Sequence, residues 1–320
     1  MLPDLCWTGG RMRIFLVAVL LLFGCDMNTP EDVIEVVNRV TGQEEPAPLP
    51  ELGPPLLIED GVRLYELLTS QETEQIWIAL PPAGENALSD GAIPCVLLPP
   101  LAMDRALGGR LGSEDLDQLL LFARSGVAAA AFDVPGAWVE GSSPSMVQAE
   151  MERYMADDGG LRTARQVLDV VLARLPEADP ARLWVLGEGA AGTLALRLAG
   201  RDARIKAVVA FDPVSDMLAL AGMEELAPAF QASPGLKDFL RKQSLQEALD
   251  RLRCPVLLFH DAFRHEKNFE DIDHLYLEAL RLQKDVSMID TLNVDPAHAG
   301  LASRTSRSLR WLESLNSPKH

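Results

Sequence analysis

Short apolar runs alternate with stripes of apolar residues at helical spacing along most of this chain, and that alternation narrows the architectures open to it. Pro94–Leu98, Val127–Phe132, Leu183–Leu186, Ala207–Phe211 and Pro255–Phe259 are continuous and short, as strands covered on both faces are. Between them, Leu116, Leu119, Leu120 and Ala123 share one helical face, with Ser113 expected as the cap and Glu114 and Asp115 in the first turn. Ala164, Val167, Leu168, Val171, Leu172 and Leu175 form a second stripe, Ala190–Ala199 a third helix, and Ile272, Leu275, Tyr276, Ala279 and Leu280 a fourth. Val62–Leu68 and Gln75–Leu80 read as a leading hairpin, Val286–Leu292 as a last strand, and Leu309, Leu312 and Leu315 as a last helix. Met217–Leu249 reads as helical but broken at Pro228 and Pro234, with Ser244 and Glu247 in a capping-box pattern for its last piece. The expectation is an α/β fold: a mostly parallel, doubly wound sheet with a small helical cap at about 217–249.

The 48% of apolar residues supports one sizeable core in a chain of 320 residues. The formal net charge is −18. Residues 1–24 carry Asp4, Arg11 and Arg13, a net +1, which leaves −19 on the remainder. With no cluster of Lys and Arg to offset it, such a surface repels phosphate backbones, so nucleic acid and anionic lipid faces are poor partners. The cysteines, Cys6, Cys25, Cys95 and Cys254, match no metal spacing and no disulfide framework. Neither a metal nor a cofactor is expected.

Residues 14–23 are apolar, Arg11 and Arg13 precede them, and Gly24-Cys25 follow, which is the layout of a signal peptide. The run is short for a membrane span. Met12 would open a tidier signal than Met1. Leu22-Phe23-Gly24-Cys25 resembles the bacterial lipoprotein box, which implies lipidation at Cys25 and a protein held on the bacterial cell envelope, facing the periplasm or the exterior. In enterobacteria-like sorting Asp26 would favour the inner membrane. Residues 25–56 read as a tether, with a short amphipathic helix through Val33, Val36, Val37 and Val40 and a stiff Pro-rich stretch from Glu44 to Pro50. The folded domain is expected from 57 to 320.

The informative segment is Leu183-Trp184-Val185-Leu186-Gly187-Glu188-Gly189-Ala190-Ala191-Gly192, a buried strand running into small residues and then a helix. A G-x-S-x-G elbow has this layout, with the serine on a strained strand-to-helix turn. Here Gly189 stands at the serine position and Ala191 at the second glycine. Asp133-Val134-Pro135-Gly136 with Gly141-Ser142, Asp179-Pro180-Ala181-Arg182, Arg204–Val209, Cys254–His260 and Asp295-Pro296-Ala297-His298 follow in an order that resembles the α/β-hydrolase superfamily, its prolyl-oligopeptidase and dienelactone-hydrolase-like branches. The resemblance covers roughly 57–316. It places the nucleophile at Gly189, the acid at Arg264 (the H-G-x-x-D position counted from His260) and the base at His298. Arginine carries the wrong charge to orient an imidazolium. Asp261, Glu266 and Asp271 lie near, and some members take the acid after the sixth strand, where Asp212 or Asp216 would serve. The oxyanion loop reads Pro99-Pro100-Leu101-Ala102; the prolines have no N–H, which leaves Leu101 or Ala102 as donors.

Acyl transfer needs an oxygen or sulfur on the elbow, and glycine offers neither. It does accept the strained dihedrals there without a Cβ penalty. The expectation is therefore a degenerate hydrolase that binds a small molecule, peptide or protein in its former active-site cleft. One alternative is an active esterase or peptidase with a displaced nucleophile, Ser142, Ser143 or Cys95, working with His298. The other is a structural envelope protein. Gly187, Gly189 and Gly192 also match a dinucleotide fingerprint with Asp202 or Asp212 as the acidic partner, but hydrolase-like neighbours on both sides argue against it. His260 reads as a hydrogen-bonded structural histidine, and a metal site from His260 and His265 is disfavoured. Glu188 reads as structural rather than as a replacement nucleophile.

Overall fold

The computed structural model describes residues 48–315 except 59, 70–73, 83–91, 105–106, 140, 219–225, 244, 261–268 and 291–299. Nine strands form one sheet: β1 (Leu56–Leu57), β2 (Arg63–Leu68), β3 (Gln75–Leu80), β4 (Ile93–Leu98), β5 (Ala128–Phe132), β6 (Ala178–Glu188), β7 (Ala207–Phe211), β8 (Val256–His260) and β9 (Val286–Asp290). Their order is β1-β2-β3-β5-β4-β6-β7-β8-β9. The first three are antiparallel to their neighbours, β3 lies antiparallel to β5, and from β5 to β9 every pairing is parallel. The leading hairpin and the parallel sheet are thus both present.

The continuous apolar runs have a simple cause. Leu97, Val185, Val208 and Leu258 enter one core cluster, and Val96, Trp184, Val209 and Leu257 enter the other, so successive residues of each strand are buried on opposite faces. Helices α1 (Ser113–Arg124) and α9 (Leu301–Ser314) cover the second cluster. The first cluster lies under α2 (Pro144–Ala156), α3 (Leu161–Arg174), α4 (Ala190–Arg201), α5 (Ala227–Ala232), α6 (Leu236–Arg241), α7 (Leu245–Arg251) and α8 (Phe269–Arg281). Apolar residues with 0% exposure, among them Leu97, Val185, Val208 and Ala191, surround the strand ends that carry the elbow.

Several expectations change in detail. Gly112, not Ser113, caps α1; it has no side chain to accept a hydrogen bond, and Asp115 instead accepts the Gly112 N–H at 2.8 Å. At Pro228 a new helix begins. The proline sits in the first turn of α5, where its missing N–H costs nothing, and a break falls at Pro234, between α5 and α6. Helix α2 is not anticipated by any apolar stripe. Ser143 caps it by accepting the Met146 N–H at 3.3 Å, and Pro144 opens it.

The cap helices are not one lid. Helices α5 and α6 pack on α2, whereas α7 lies along α4. There Gly200 admits the α7 backbone: a Cβ at Gly200 would stand 2.8 Å from the Ala248 carbonyl oxygen. The compact body begins at Leu49. Leu49 and Leu52 pack against the core, Arg174 donates to the Leu49 and Pro50 carbonyls at 3.0 and 3.1 Å, and the same guanidinium pairs with Glu51 at 2.8 Å. The end of the expected tether is therefore docked on α3. The signal segment, Cys25 and the helix expected through Val33–Val40 lie outside the described residues, as do Ser244, Arg264 and His298.

Candidate active site at the strand-to-helix elbow

Strand β6 ends at Glu188, and Gly189 turns the chain into α4 with φ 57° and ψ −126°. That conformation is strained for any residue with a Cβ. The turn is compressed on both sides. A Cβ on Gly187 would lie 2.3 Å from the Ala191 carbonyl oxygen, and one on Gly192 would lie 3.1 Å from the Gly187 oxygen. Ala191, whose carbonyl makes that contact, is itself fully buried. Gly189 N–H donates to the Phe211 carbonyl at 2.9 Å, and the Thr193 hydroxyl donates to the Val214 carbonyl at 2.8 Å. These bonds tie the elbow to the end of β7. The backbone turns sharply from strand to helix here, and Gly189 at the turn carries hydrogen in place of a side chain.

The oxyanion loop is committed elsewhere too. Leu101 N–H donates to Asp115 Oδ1 at 2.8 Å, while Oδ2 holds Gly112 N–H. Burial raises the Asp115 pKa, and these two N–H groups pull it down. Of the two donors left open by the prolines, Leu101 is therefore turned toward α1, and Ala102 remains.

Asp212 meets His260; His298 lies outside the described residues. Asp212 Oδ1 lies 3.1 Å from His260 Nδ1, and the two side chains are 4% and 2% exposed. Asp212 takes φ 42°, and its N–H donates to the Phe259 carbonyl at 2.9 Å, so the carboxylate is set by the ends of β7 and β8. The reading of His260 as a hydrogen-bonded structural histidine agrees with this contact.

Glu188, beside the elbow, pairs with Arg304 of α9 at 2.7 Å, with both side chains 15% exposed. The Arg304 guanidinium also lies 5.4 Å from the centre of the Phe211 ring, which stacks on Phe259 at 4.4 Å. The Glu188 carboxylate is thus held toward α9 by a cation, a poor state for a nucleophile. Sequence reasoning missed Arg304, because nothing in a polar face of a C-terminal helix marks one arginine as the partner of a residue 116 positions earlier.

Cys95, Ser142 and Ser143, the candidate displaced nucleophiles, sit in different settings. Cys95 has 0% exposure inside β4, and burial pushes its thiol up to about 12, far from a thiolate at neutral pH. Ser143 caps α2 and shares a hydrogen bond with Ser145 at 3.0 Å; Ser142 Oγ accepts the Val139 N–H at 3.3 Å. For a dinucleotide, Asp202 would have to face the glycine turn. It lies instead at the far end of α4, held by Arg204 at 2.7 Å.

No family model and no curated protein matches the sequence. Solved structures do resemble it. An acetyl xylan esterase from a Paenibacillus species is 18% identical, with TM-score 0.57, over 98% of this chain and 96% of the other. Acetyl xylan esterase 1 from a Thermoanaerobacterium species is 17% identical, with TM-score 0.58, over 90% and 95%. The acylaminoacyl peptidase of Pyrococcus horikoshii is 16% identical, with TM-score 0.58, over 86% of this chain, which spans only 43% of that enzyme. At these identities the likeness is one of fold, and this chain has the α/β-hydrolase fold.

Proposed function

We propose that this chain is an exported, lipid-anchored protein that uses an α/β-hydrolase fold to bind rather than to turn over. The observation that carries the reading is Gly189 in the elbow conformation, φ 57° and ψ −126°, with no side chain to attack a carbonyl. Three further contacts support it: Leu101 N–H given to Asp115, Glu188 held by Arg304, and Cys95 sealed in the sheet. The ligand would be a small molecule, a peptide or a protein segment at the carboxyl edge of the sheet. In this reading the first turn of α4 offers backbone N–H donors to an acceptor atom, and no covalent intermediate forms. Lipidation at Cys25 would hold the body at the bacterial cell envelope, facing the periplasm or the exterior.

The full chain, purified in detergent, should hydrolyse neither acyl esters nor peptidyl amides above the buffer rate. Turnover that disappears in His298→Ala would defeat the reading. Labelled palmitate fed to producing cells should enter the wild-type protein and not Cys25→Ala; equal labelling would remove the anchor from the account.

A further inference from the structure

The turn between α2 and α3 holds a carboxylate in an unusual setting. Asp157 Oδ1 accepts the Thr163 N–H and the Thr163 hydroxyl, each at 3.1 Å. Its Oδ2 is buried, and among the described residues no donor reaches it. The next three residues, Asp158, Gly159 and Gly160, all take positive φ, at 53°, 64° and 92°. Such a run is costly for the non-glycine member and persists only where its surroundings fix it. Asp158 supplies part of that hold by pairing with Arg197 at 3.0 Å and Arg201 at 2.6 Å, both on α4. From the other side the Gln243 side-chain amide, buried and without a hydrogen-bond partner among the described residues, lies against Gly159, where an added Cβ would lie 2.6 Å from its Nε2.

Two charges act directly on Asp157. Arg162 lies on α3, and Glu74, ahead of β3, is held by Arg153 of α2 and by Thr69. Beside them Asp158 pairs with Arg197 and Arg201, and Tyr154 of α2 senses Asp157, Asp158 and Arg197 alike. Helix α2 in turn props the loop after β5. Glu150 accepts the Gly136 N–H at 3.2 Å, and the Tyr154 side chain covers Gly136, whose added Cβ would stand 2.9 Å from it. Tyr154 also meets Phe239 of α6 edge-to-face at 5.7 Å. What happens at the turn therefore reaches the loop after β5 and helix α6.

We propose that the α2–α3 turn is a pH-responsive hinge in which protonated Asp157 holds α2 closed on the loop after β5, and ionised Asp157 lets that contact loosen. A charged carboxylate with one oxygen shut away from donors is penalised in the closed turn and relieved when the turn opens to water. Burial raises the Asp157 carboxyl to about 7 in the closed state. An opened turn returns it to the ordinary carboxylate range near 4. By linkage the closed form loses stability steadily as pH rises between those values and levels off above about 7. This hinge operates whether or not the elbow does chemistry.

Hydrogen–deuterium exchange on the full chain, corrected for the intrinsic pH dependence, reads it directly. Protection of peptides from α2 should fall on the order of tenfold between pH 5.5 and pH 8. Peptides from α1 should stay unchanged. Asp157→Asn keeps the Thr163 bonds and cannot ionise, so its α2 protection should be flat across that range. Thr163→Val removes a donor that favours the charged form, so the pH at which protection levels off should move up. Constant α2 protection in the wild type, or an equal fall in Asp157→Asn, would overturn the hinge. Should Asp157→Asn fail to fold, an unshifted profile in Thr163→Val overturns it just as well.

Discussion

Substituting the two glycines that flank Glu188 should separate the strain of the elbow from its crowding. At Gly187 the obstacle is backbone: an added Cβ would meet the Ala191 oxygen at 2.3 Å and its carbonyl carbon at 2.4 Å. Normal carbon–oxygen contact is longer by about 1 Å, and no side-chain rotation can relieve it. Strand β6 and helix α4 would have to part by that amount where the core is densest. Overpacking a well-filled core costs about 1–3 kcal/mol when side chains can adjust. Here they cannot, so Gly187→Ala should cost at least about 3 kcal/mol. At Gly189 the obstacle is the dihedral pair, φ 57° and ψ −126°. Holding a side chain in such a conformation costs on the order of 1–3 kcal/mol, and Gly189→Ser should fall in that range. Urea unfolding followed by circular dichroism, with an unchanged denaturant slope, gives both values. A Gly187→Ala protein within 1 kcal/mol of wild type, or a Gly189→Ser protein less stable than Gly187→Ala, would refute the account of how the turn is built.

Arg304→Ala removes one charged partner from the largely buried Glu188 carboxylate and the cation from Phe211, so it should destabilise by about 2 kcal/mol in the same assay. Adding Glu188→Gln should recover a substantial part of that loss. Native Cys95, its thiol raised to about 12, should resist iodoacetamide at pH 8 for hours and react once the chain is unfolded in urea, as read by peptide mass mapping. The raised Asp157 carboxyl binds its proton more tightly in the folded state than in the unfolded one, so its contribution is fully present near pH 4 and lost as pH climbs to about 7. The thermal midpoint should follow, and Asp157→Asn should flatten that slope. Asp115→Ala removes the acceptor for two N–H groups, Leu101 and Gly112, and should lower stability by about 2 kcal/mol.

Much of the fold was legible because a strand buried on two faces leaves an uninterrupted apolar run, as β4, β5, β7, β8 and the Leu183–Leu186 part of β6 do; the first half of β6, Ala178–Arg182, is polar and less buried and was not. The elbow was legible for a related reason. Close strand–helix contact demands small residues at fixed spacing, and Gly187, Ala191 and Gly192 supply them. Helix α2 escaped because only Val147, Met151 and Tyr154 of it are buried, too thin a stripe to read, although Ser143-Pro144 was a usable start signal. The commitments of the site's side chains were not legible. Leu101 with Asp115, Asp212 with His260 and Glu188 with Arg304 are pairings between distant parts of the chain. A carboxylate in a sequence does not say whether it will face a substrate or an arginine. Asp212 shows the difference: the sequence makes it a candidate acid, and only the structure reveals that His260 meets its carboxylate.

The claim at the centre is that the elbow of β6 and α4 has nothing with which to form a bond. Intact mass spectrometry of the full chain after prolonged exposure to an alkyl fluorophosphonate tests it directly. An unchanged mass is the outcome expected from Gly189. A single covalent adduct, mapped to a residue beside the elbow and abolished in His298→Ala or His260→Ala, would contradict it.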